Sequence, residues 1–256
     1  MKPRLGALVV AAALLGGCAS VPTAAPTGGP GVAQPGSSTV DPWENFNRKV
    51  FAFNEAVDKA VLEPVAKAYR DVVPALVRQG VSNFFGNIGD VWSTANHFLQ
   101  GKVASGLEMG MRVSFNTVFG IAGVLDPATE MKLPRRSEDF GQTLAVWGVG
   151  NGPYLVLPLL GPSTLRDSSA LPVDRWADSP SRYVDDLRNY VVTTLQLVQL
   201  RSELLSTTQL ISDVSLDKYS FVRDGFLARR LDQIYDGAPP LAPMLDDPGD
   251  EPPKKK

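Results

Sequence analysis

Cysteine and histidine are almost missing from this chain. Its 256 residues contain one Cys and one His, which excludes a disulfide framework and any zinc site built from several Cys and His ligands. Charge is also scarce, since 20% of the residues are charged against about 25% in a typical soluble domain. With 25 Lys and Arg against 27 Asp and Glu, the chain lacks the basic surplus that nucleic-acid binding needs, so we expect no such partner.

Catalytic motifs are missing as well. His97 is the single His, and because it lies in an amphipathic segment, a structural or surface role is the better interpretation than a general base. No G-x-S-x-G elbow occurs. The paired acids Glu138-Asp139 and Asp185-Asp186 are sequence neighbours, and neighbouring residues of a helix point to different faces. Since no recognised metal-ligand spacing occurs either, the sequence indicates no enzymatic activity and no metal cofactor.

The single cysteine, Cys18, follows a short apolar segment near the N-terminus. Two basic residues precede an uninterrupted apolar run from Leu5 to Leu15, which is too short to cross a bilayer because a spanning helix needs about 20 residues. The small residues in Leu15-Gly16-Gly17-Cys18 resemble the bacterial lipobox, whose cysteine is acylated and becomes the new N-terminus. We therefore predict a lipoprotein signal peptide at 1–17 and lipidation at Cys18, with a buried cysteine behind an ordinary signal peptide as the alternative.

Proline and glycine are concentrated outside the predicted folded core. Residues 18–40 contain Pro, Gly, Ser and Thr without a charged residue, which predicts a lipidated flexible tether. Residues 238–256 contain six Pro and end in three Lys, which predicts a disordered tail. The folded domain is therefore expected at 41–237. Ala19-Ser20, rather than Asp, follows the cysteine, and by similarity to other bacterial lipoproteins this favours the outer membrane.

Apolar residues recur at helical spacing through most of the core. Five such stripes predict helices, namely Phe46–Val61, Ile88–Leu99, Leu107–Ala122, Val184–Leu205 and Tyr219–Ile234. Pro64 is expected to end the first helix and Gly237 the last. Gly106, Gly110 and Ser114 recur every four residues, which allows close approach of another helix or of an acyl chain, and the sequence leaves both open. No series of strands is evident, so we predict an all-α fold with room for one short hairpin.

A glycine-rich segment separates the third helix stripe from the fourth. Gly148-Val149-Gly150-Asn151-Gly152-Pro153 does not match a dinucleotide loop, because Pro153 stands where the third Gly of G-x-G-x-x-G belongs. Its glycines predict unusual backbone angles, in a packed groove or at a hinge. The near absence of charge around it suits contact with lipid.

Short motifs follow one another in a fixed order along the core. They are, in chain order, Asp41-Pro42-Trp43-Glu44-Asn45-Phe46-Asn47-Arg48, Ser82-Asn83-Phe84-Phe85-Gly86-Asn87, Phe98-Leu99-Gln100-Gly101, Phe115-Asn116-Thr117, Asp126-Pro127-Ala128, Asp139-Phe140-Gly141-Gln142-Thr143-Leu144, Gly148-Val149-Gly150, Gly152-Pro153-Tyr154, Leu157-Pro158, Gly161-Pro162-Ser163 and Leu165-Arg166-Asp167. Each motif alone is weak, but their order and spacing together are specific. In this arrangement the chain resembles the MlaA (VacJ) family of outer-membrane lipoproteins.

The resemblance implies a ring or horseshoe of amphipathic helices that lies in the periplasmic leaflet of a Gram-negative outer membrane. It implies a central polar channel, through which misplaced outer-leaflet phospholipids pass to a soluble periplasmic carrier and then to an inner-membrane ABC transporter, so that lipid asymmetry is maintained. It also implies association with trimeric porins. No bond is made or broken in such a process, and the covalent lipid on Cys18 would be the only bound group.

Within this framework we name candidate site residues. The candidates for a channel element are Gly148, Gly150, Asn151, Gly152, Pro153 and Tyr154. Asn45 and Phe46 are candidates for gating or seating the first helix, and packing of this pair against the core is the alternative. A function from another class is also open, namely a structural lipoprotein that scaffolds a porin or envelope complex without moving lipid.

Overall fold

The computed structural model describes residues 40–177 and 186–239. The predicted signal peptide, Cys18, almost all of the predicted tether and almost all of the predicted tail lie outside the described residues. The described residues belong to one compact unit. They form helices and a single hairpin, so the prediction of an all-α fold with one short hairpin is confirmed.

Helices supply nearly all the regular structure of the described residues. They are α1 (Glu44–Val57), a π-helical turn (Asp58–Leu62, the π-turn), α2 (Glu63–Val72), α3 (Ala75–Leu99), α4 (Val103–Val118), α5 (Pro127–Glu130), α6 (Phe140–Val146), α7 (Leu165–Ala177), α8 (Asp186–Val214) and α9 (Lys218–Ile234). Strands β1 (Tyr154–Leu157) and β2 (Gly161–Thr164) pair antiparallel between α6 and α7. None of the helices within the described ranges combines the length and the apolar character needed to cross a bilayer.

The first helix does not end at Pro64, and the prediction of a stop there is wrong. α1 continues through the π-turn into α2, where Pro64 occupies the first turn. In an α-helix the proline ring crowds the carbonyl four residues earlier, here that of Ala60, and the wider π-turn relieves this crowding. The helix ends instead at Val72, because Val73 precedes Pro74 and is extended (φ −90°, ψ 123°).

The third predicted helix is shorter than its apolar stripe. α4 ends at Val118, four residues before Ala122. Ile121, Ala122 and Gly123 have φ values of 55°, 56° and 90°, which form a tight turn that a helix cannot contain. The last helix ends close to the predicted Gly237. Its C-cap is Tyr235, and the turn that follows has Asp236 at φ 52° and Gly237 at φ 84°, with Gly237 N–H donating to the carbonyl of Asp232 at 2.9 Å. In the fourth stripe, Val184 lies outside the described residues, and α8 begins at Asp186.

The small-residue stripe of α4 faces a neighbouring helix. Gly106 lies under the ring of Phe98, and a Cβ on Gly110 would lie 3.7 Å from the methyl group of Thr94. Both neighbours belong to α3, so these two glycines allow close approach of α3 and α4 rather than of an acyl chain. Ser114, one turn further, is exposed and donates its hydroxyl to the carbonyl of Gly110 at 2.8 Å.

The hairpin packs its inner face on the first and last long helices. Tyr154, Val156 and Tyr219 form a buried apolar cluster, against which Val50, Phe51, Phe226 and Leu227 pack. The ring centroids of Phe51 and Tyr219 are 5.6 Å apart in an edge-to-face arrangement, a favourable geometry for aromatic pairs. This small cluster joins α1, β1 and α9.

We predict that Gly120→Ala destabilises the turn after α4, whereas Gly89→Ala does not. A Cβ on Gly120 would overlap the carbonyl oxygens of Asn116 and Leu125, but a Cβ on Gly89, within α3, meets no atom within 4 Å. Urea unfolding of the detergent-solubilised protein should show a loss of about 2–3 kcal/mol for Gly120→Ala. Gly89→Ala should gain up to about 1 kcal/mol from helix propensity, and equal effects of the two changes would contradict the prediction.

Candidate functional site

Polar side chains fill the interior of the described residues, and large apolar side chains cover the outside. Nineteen polar or charged residues are buried against nine hydrophobic ones, and forty large hydrophobic residues are exposed. A soluble domain has the opposite preference, since charged residues are rarely buried and large apolar patches are rarely exposed. The described part of the chain therefore presents an apolar exterior around a polar interior.

The predicted helix stripes are real, but many of their residues face outward. In α1, Phe46 and Phe53 are exposed while Asn47 between them is fully buried. In α4, Leu107 and Met111 are exposed in the same way. Helical spacing alone identifies an amphipathic helix without indicating which face is inside. The structure shows that the apolar faces of α1 and α4 lie on the outside.

A polar cavity of about 690 Å³ lies between β2 and helices α6 to α9. Its walls carry three carboxylates, three guanidinium groups and several neutral polar groups, namely Asp139, Asp167, Asp174, Arg175, Arg229, Arg230, Ser163, Thr193, Gln196 and Gln233. We call it the arginine cavity. Its volume is in the range of small-molecule sites, about 300–1,000 Å³. Pro162, Leu171 and Phe226 complete its walls, so charged groups and apolar surface lie side by side in it.

Arg230 is the central cation of the arginine cavity. Its guanidinium donates to both carboxylate oxygens of Asp139 at 2.6 and 2.7 Å and to Asp167 at 2.8 Å. Arg166, which is buried, adds a second cation to Asp167 at 2.9 Å. Burial acts to lower the pKa of Arg230, but the two carboxylates more than offset it and hold this pKa above its ordinary value. Arg230 thus ties α9 to α6 and α7 through charged groups.

Two carboxylates of this cavity have pKa shifts of opposite sign. Burial acts to raise the pKa of Asp139, but hydrogen bonds and charge from Arg230 outweigh it and lower that pKa. Asp174 instead accepts neutral donors, the indole N–H of Trp92 and the backbone N–H of Phe140, both at 2.8 Å. Burial therefore dominates and raises the pKa of Asp174.

A second buried charge network joins α3 and α4 to the segment after α4. Arg112 contacts Asp126 at 2.5 Å and Asp90 at 3.5 Å, and Asp90 also accepts from Arg135 at 2.7 Å. Burial raises the pKa of Asp90, although Arg135 and Arg112 oppose this. His97 is also fully buried, with its Nε2 atom 3.2 Å from the carbonyl oxygen of Arg136. These contacts hold the 126–138 segment against the α3–α4 pair.

The glycine-rich segment forms an exposed loop between α6 and β1. Gly148 and Gly152 have φ values of 92° and 65°, whereas Gly150 lies outside the left-handed region, and a Cβ on Gly148 or Gly150 would meet no atom within 4 Å. The loop is fixed at its far end, where the carbonyl of Asn151 accepts from Arg166 N–H at 3.1 Å and that of Pro153 accepts from Leu165 N–H at 3.0 Å.

The structure separates Tyr154 from the other loop candidates. Its side chain is buried beside Tyr219 and Phe226, with ring centroids 6.3 and 6.1 Å apart, and burial raises the pKa of its hydroxyl. Tyr154 therefore lies in the apolar cluster, apart from the exposed glycines, and its role in a lipid channel stays a prediction. Asn45 and Phe46 are both exposed in the first turn of α1, so this pair does not pack against the core.

Sequence reasoning missed two asparagines that bind the hairpin. The Asn47 amide accepts from Val156 N–H at 2.9 Å and donates to the carbonyl of Tyr154 at 3.1 Å. Seven residues on, the Asn54 amide accepts from Leu159 N–H at 2.7 Å and donates to the carbonyl of Leu157 at 2.9 Å. Both side chains occupy the edge of β1 where another strand would pair, so α1 closes that edge. The signal available in the sequence was their spacing of two helical turns on one face of α1.

Comparison with known proteins decides the family. A family model described as MlaA lipoprotein matches residues 39–233. The chain belongs to the MlaA lipoprotein family. The intermembrane phospholipid transport system lipoprotein MlaA of Escherichia coli (strain K12) is 37% identical over 239 residues, covering 90% of this chain and 88% of that protein. The protein of the same name from Haemophilus influenzae is 30% identical over 208 residues, covering 77% of this chain and 80% of that protein.

A solved structure is similar as well. It comes from work on the structural basis for maintenance of bacterial outer membrane lipid asymmetry, and it aligns with a TM-score of 0.66 and 34% identity over 77% of this chain and 99% of that chain. The family resemblance predicted from the motifs is therefore confirmed. The MlaA match also contains every residue that lines the arginine cavity, so this cavity belongs to the family domain.

We predict that Asp139→Asn lowers stability while Asp174→Asn does not. Asparagine at 139 can still cap α6 through the bond to Gln142 N–H, but it loses its charge pair with Arg230. We expect a loss of about 1–2 kcal/mol at pH 7 in urea unfolding, less than for a fully buried pair because 37% of the Asp139 side chain is exposed. Asparagine at 174 keeps an oxygen for Trp92 and Phe140 and removes a buried charge.

The pH dependence should distinguish the two carboxylates. A carboxylate with a lowered pKa stabilises the fold at neutral pH and loses that contribution as the pH falls below about 4. The difference between wild type and Asp139→Asn should therefore shrink in acid. A carboxylate with a raised pKa destabilises the fold at neutral pH. Any gain in stability from Asp174→Asn should therefore be largest at neutral pH. Parallel pH profiles for the two variants would contradict this assignment.

We predict that Asn47→Ala destabilises the hairpin and that Asn45→Ala is neutral. Removal of the Asn47 amide leaves the buried Tyr154 carbonyl and Val156 N–H without their partner, at a cost of about 2–3 kcal/mol. Asn45 is exposed two residues earlier in α1, so it is a matched control. Urea unfolding measures the stability, and amide exchange at Val156 reports on the strand itself. Unchanged exchange at Val156 in Asn47→Ala would count against the edge-closing role.

Proposed function

We propose that this chain is a non-enzymatic outer-membrane lipoprotein that removes mislocalised phospholipids from the outer leaflet and so maintains lipid asymmetry. The observation that carries the proposal is the polar interior enclosed by an apolar exterior. The names of two relatives, which describe an intermembrane phospholipid transport system, support the same conclusion. No bond is made or broken in this process, and no cofactor is needed.

The arrangement of polar and apolar surface suits a lipid that must move its headgroup. A phospholipid headgroup is charged or zwitterionic, and its transfer through hydrocarbon is costly because the charges lose their hydration. A polar interior lined by groups such as those of the arginine cavity lowers that cost. Amphipathic helices that lie in the membrane interface keep their apolar faces among the acyl chains. Headgroup and tails are thereby kept in separate environments.

Attachment to the membrane would come from the N-terminus. We propose cleavage before Cys18 and acylation of its thiol, followed by a tether that reaches to the folded domain, because the segment resembles a lipobox. Several acyl chains together give firm anchoring, since each buried methylene contributes about 0.8 kcal/mol. The domain would then lie in the periplasmic leaflet of the outer membrane as a ring or horseshoe of helices.

The partners are proposed from the family resemblance. They are trimeric porins in the outer membrane, a soluble periplasmic carrier that accepts the lipid, and, through that carrier, an inner-membrane ABC transporter. We propose that the loop from Gly148 to Pro153 is the moving part of the lipid pathway, because Gly148 and Gly150 have open space around them. Asn45 and Phe46, exposed at the start of α1, are proposed to seat this helix against membrane or partner.

We predict that Gly150→Val impairs lipid removal without unfolding the protein. Valine has room at this position, since a Cβ there meets no atom within 4 Å, but a β-branched side chain restricts the backbone of the loop. In a Gram-negative strain whose only MlaA protein is this chain, surface-exposed phospholipid should rise toward the level of a strain without it. Gly225→Ala, on α9 and also surrounded by open space, should behave as wild type.

Purified protein distinguishes transport from scaffolding. The detergent-solubilised wild type should carry phospholipid and release it to a periplasmic carrier protein. A normally expressed Gly150→Val variant with unchanged surface phospholipid would refute the role of the loop. Wild-type protein that binds a porin but neither carries nor releases phospholipid would refute transport and favour the scaffolding function.

A further inference from the structure

A second polar cavity lies beside the π-turn. It has a volume of about 600 Å³ and is enclosed by α1, the π-turn, α2, the second half of α8 and the start of α9. It shares no lining residue with the arginine cavity. We call it the π-turn cavity. π-turns within helices occur frequently at functional sites, so the chemistry of the walls indicates what this one could bind.

The acids of the π-turn cavity are all neutralised by bases of the same cavity. Three ion pairs do this at 2.5 to 2.6 Å, namely Lys218 with Glu55, Arg201 with Asp58 and Lys67 with Glu63. Arg201 binds both carboxylate oxygens of Asp58, at 2.6 and 2.7 Å, so α8 is tied directly to the first residue of the π-turn. The paired carboxylates therefore offer little repulsion to an anion that enters.

Two cations of the cavity remain after this pairing. Among the described residues, Lys59 and Arg70 have no carboxylate within 4.0 Å, and both line the cavity from the π-turn and α2. An ammonium offers three N–H donors and a guanidinium five, and Ser206 adds a hydroxyl from α8. Both side chains are exposed, and they stand about 16 Å apart along the continuous helix of the π-turn and α2. With its acids paired, the cavity is left with two surplus positive charges, which suit the oxygens of a phosphate group.

We propose that the π-turn cavity is a phosphate-binding site in which the surplus charge of Lys59 and Arg70 attracts the anion. The phosphate could belong to a phospholipid headgroup or be free in solution, and the chemistry of the two is shared. A phospholipid as the source rests on the proposed function. In that case the π-turn cavity would bind the headgroup at a second place on the protein, separate from the arginine cavity. Arg201 is a positioning residue here, because its bond to Asp58 keeps the π-turn, and with it Lys59, against α8.

The test compares two double variants of the full lipidated chain in a detergent that contains no phosphate. Lys59→Gln/Arg70→Gln removes the two unpaired cations, and Lys49→Gln/Lys132→Gln removes two charges from exposed lysines outside both cavities. Each protein is titrated by calorimetry with dihexanoylphosphatidylglycerol and, separately, with inorganic phosphate. We expect Lys59→Gln/Arg70→Gln to weaken binding at least about tenfold, and the control to bind as wild type.

The two probes separate the sources of the phosphate. A loss confined to the lipid supports a headgroup site, and an equal loss for inorganic phosphate supports a site for the free anion. Equal binding by wild type and Lys59→Gln/Arg70→Gln, or no binding of either probe by wild type, overturns the site. If the double variant does not fold, Lys59→Gln alone is titrated, with a smaller loss expected. If Lys59→Gln/Arg70→Gln binds both probes as wild type does and phospholipid transfer persists, only this inference is overturned. The proposed function then remains intact.

Discussion

Pairing of buried charges is the constraint on which this fold depends. With only nine buried hydrophobic residues among those described, a conventional apolar core cannot hold the helices together. Arg230 instead joins α9 to α6 and α7, and Arg112 joins α4 to Asp126 at the start of α5. Removing one partner of such a pair leaves a buried charge unpaired, which is strongly destabilising. The polar interior therefore also determines how the helices are arranged.

An apolar exterior follows from the same constraint. A helix whose polar face is used for internal pairing must present its apolar face outward, as Phe53 of α1 and Leu107 of α4 do. In water such a surface would favour aggregation, whereas among acyl chains it is at low free energy. The interior ion pairs thus fit the proposed position in one leaflet. The pairs use the polar faces of the helices, and the acyl chains surround the apolar faces that remain.

The sequence predicted features that depend on neighbouring residues, and it missed contacts between residues far apart in the chain. Helical spacing identified α1, α3, α4, α8 and α9, since periodicity does not depend on which face is buried. It failed at Pro64, where the π-turn accommodates the ring, and it gave no sign of the bonds from Asn47 to Tyr154 or from Arg230 to Asp139. Those partners are 107 and 91 residues apart, and no local pattern records such pairing. The family, in contrast, was recognised because many short motifs, each weak alone, are specific together in their order and spacing.

The loop from Gly148 to Pro153 lies between two firmly held parts of the chain. Upstream, Asp139 at the start of α6 is bound by Arg230. Downstream, the hairpin is held by α1, because a two-stranded hairpin is barely stable alone and the amide of Asn47 supplies bonds that a third strand would otherwise make. Rigid supports on both sides confine movement to the few residues between them. Gly148 and Gly150, with open space around them, can then move without disturbing the charge network on which the fold depends.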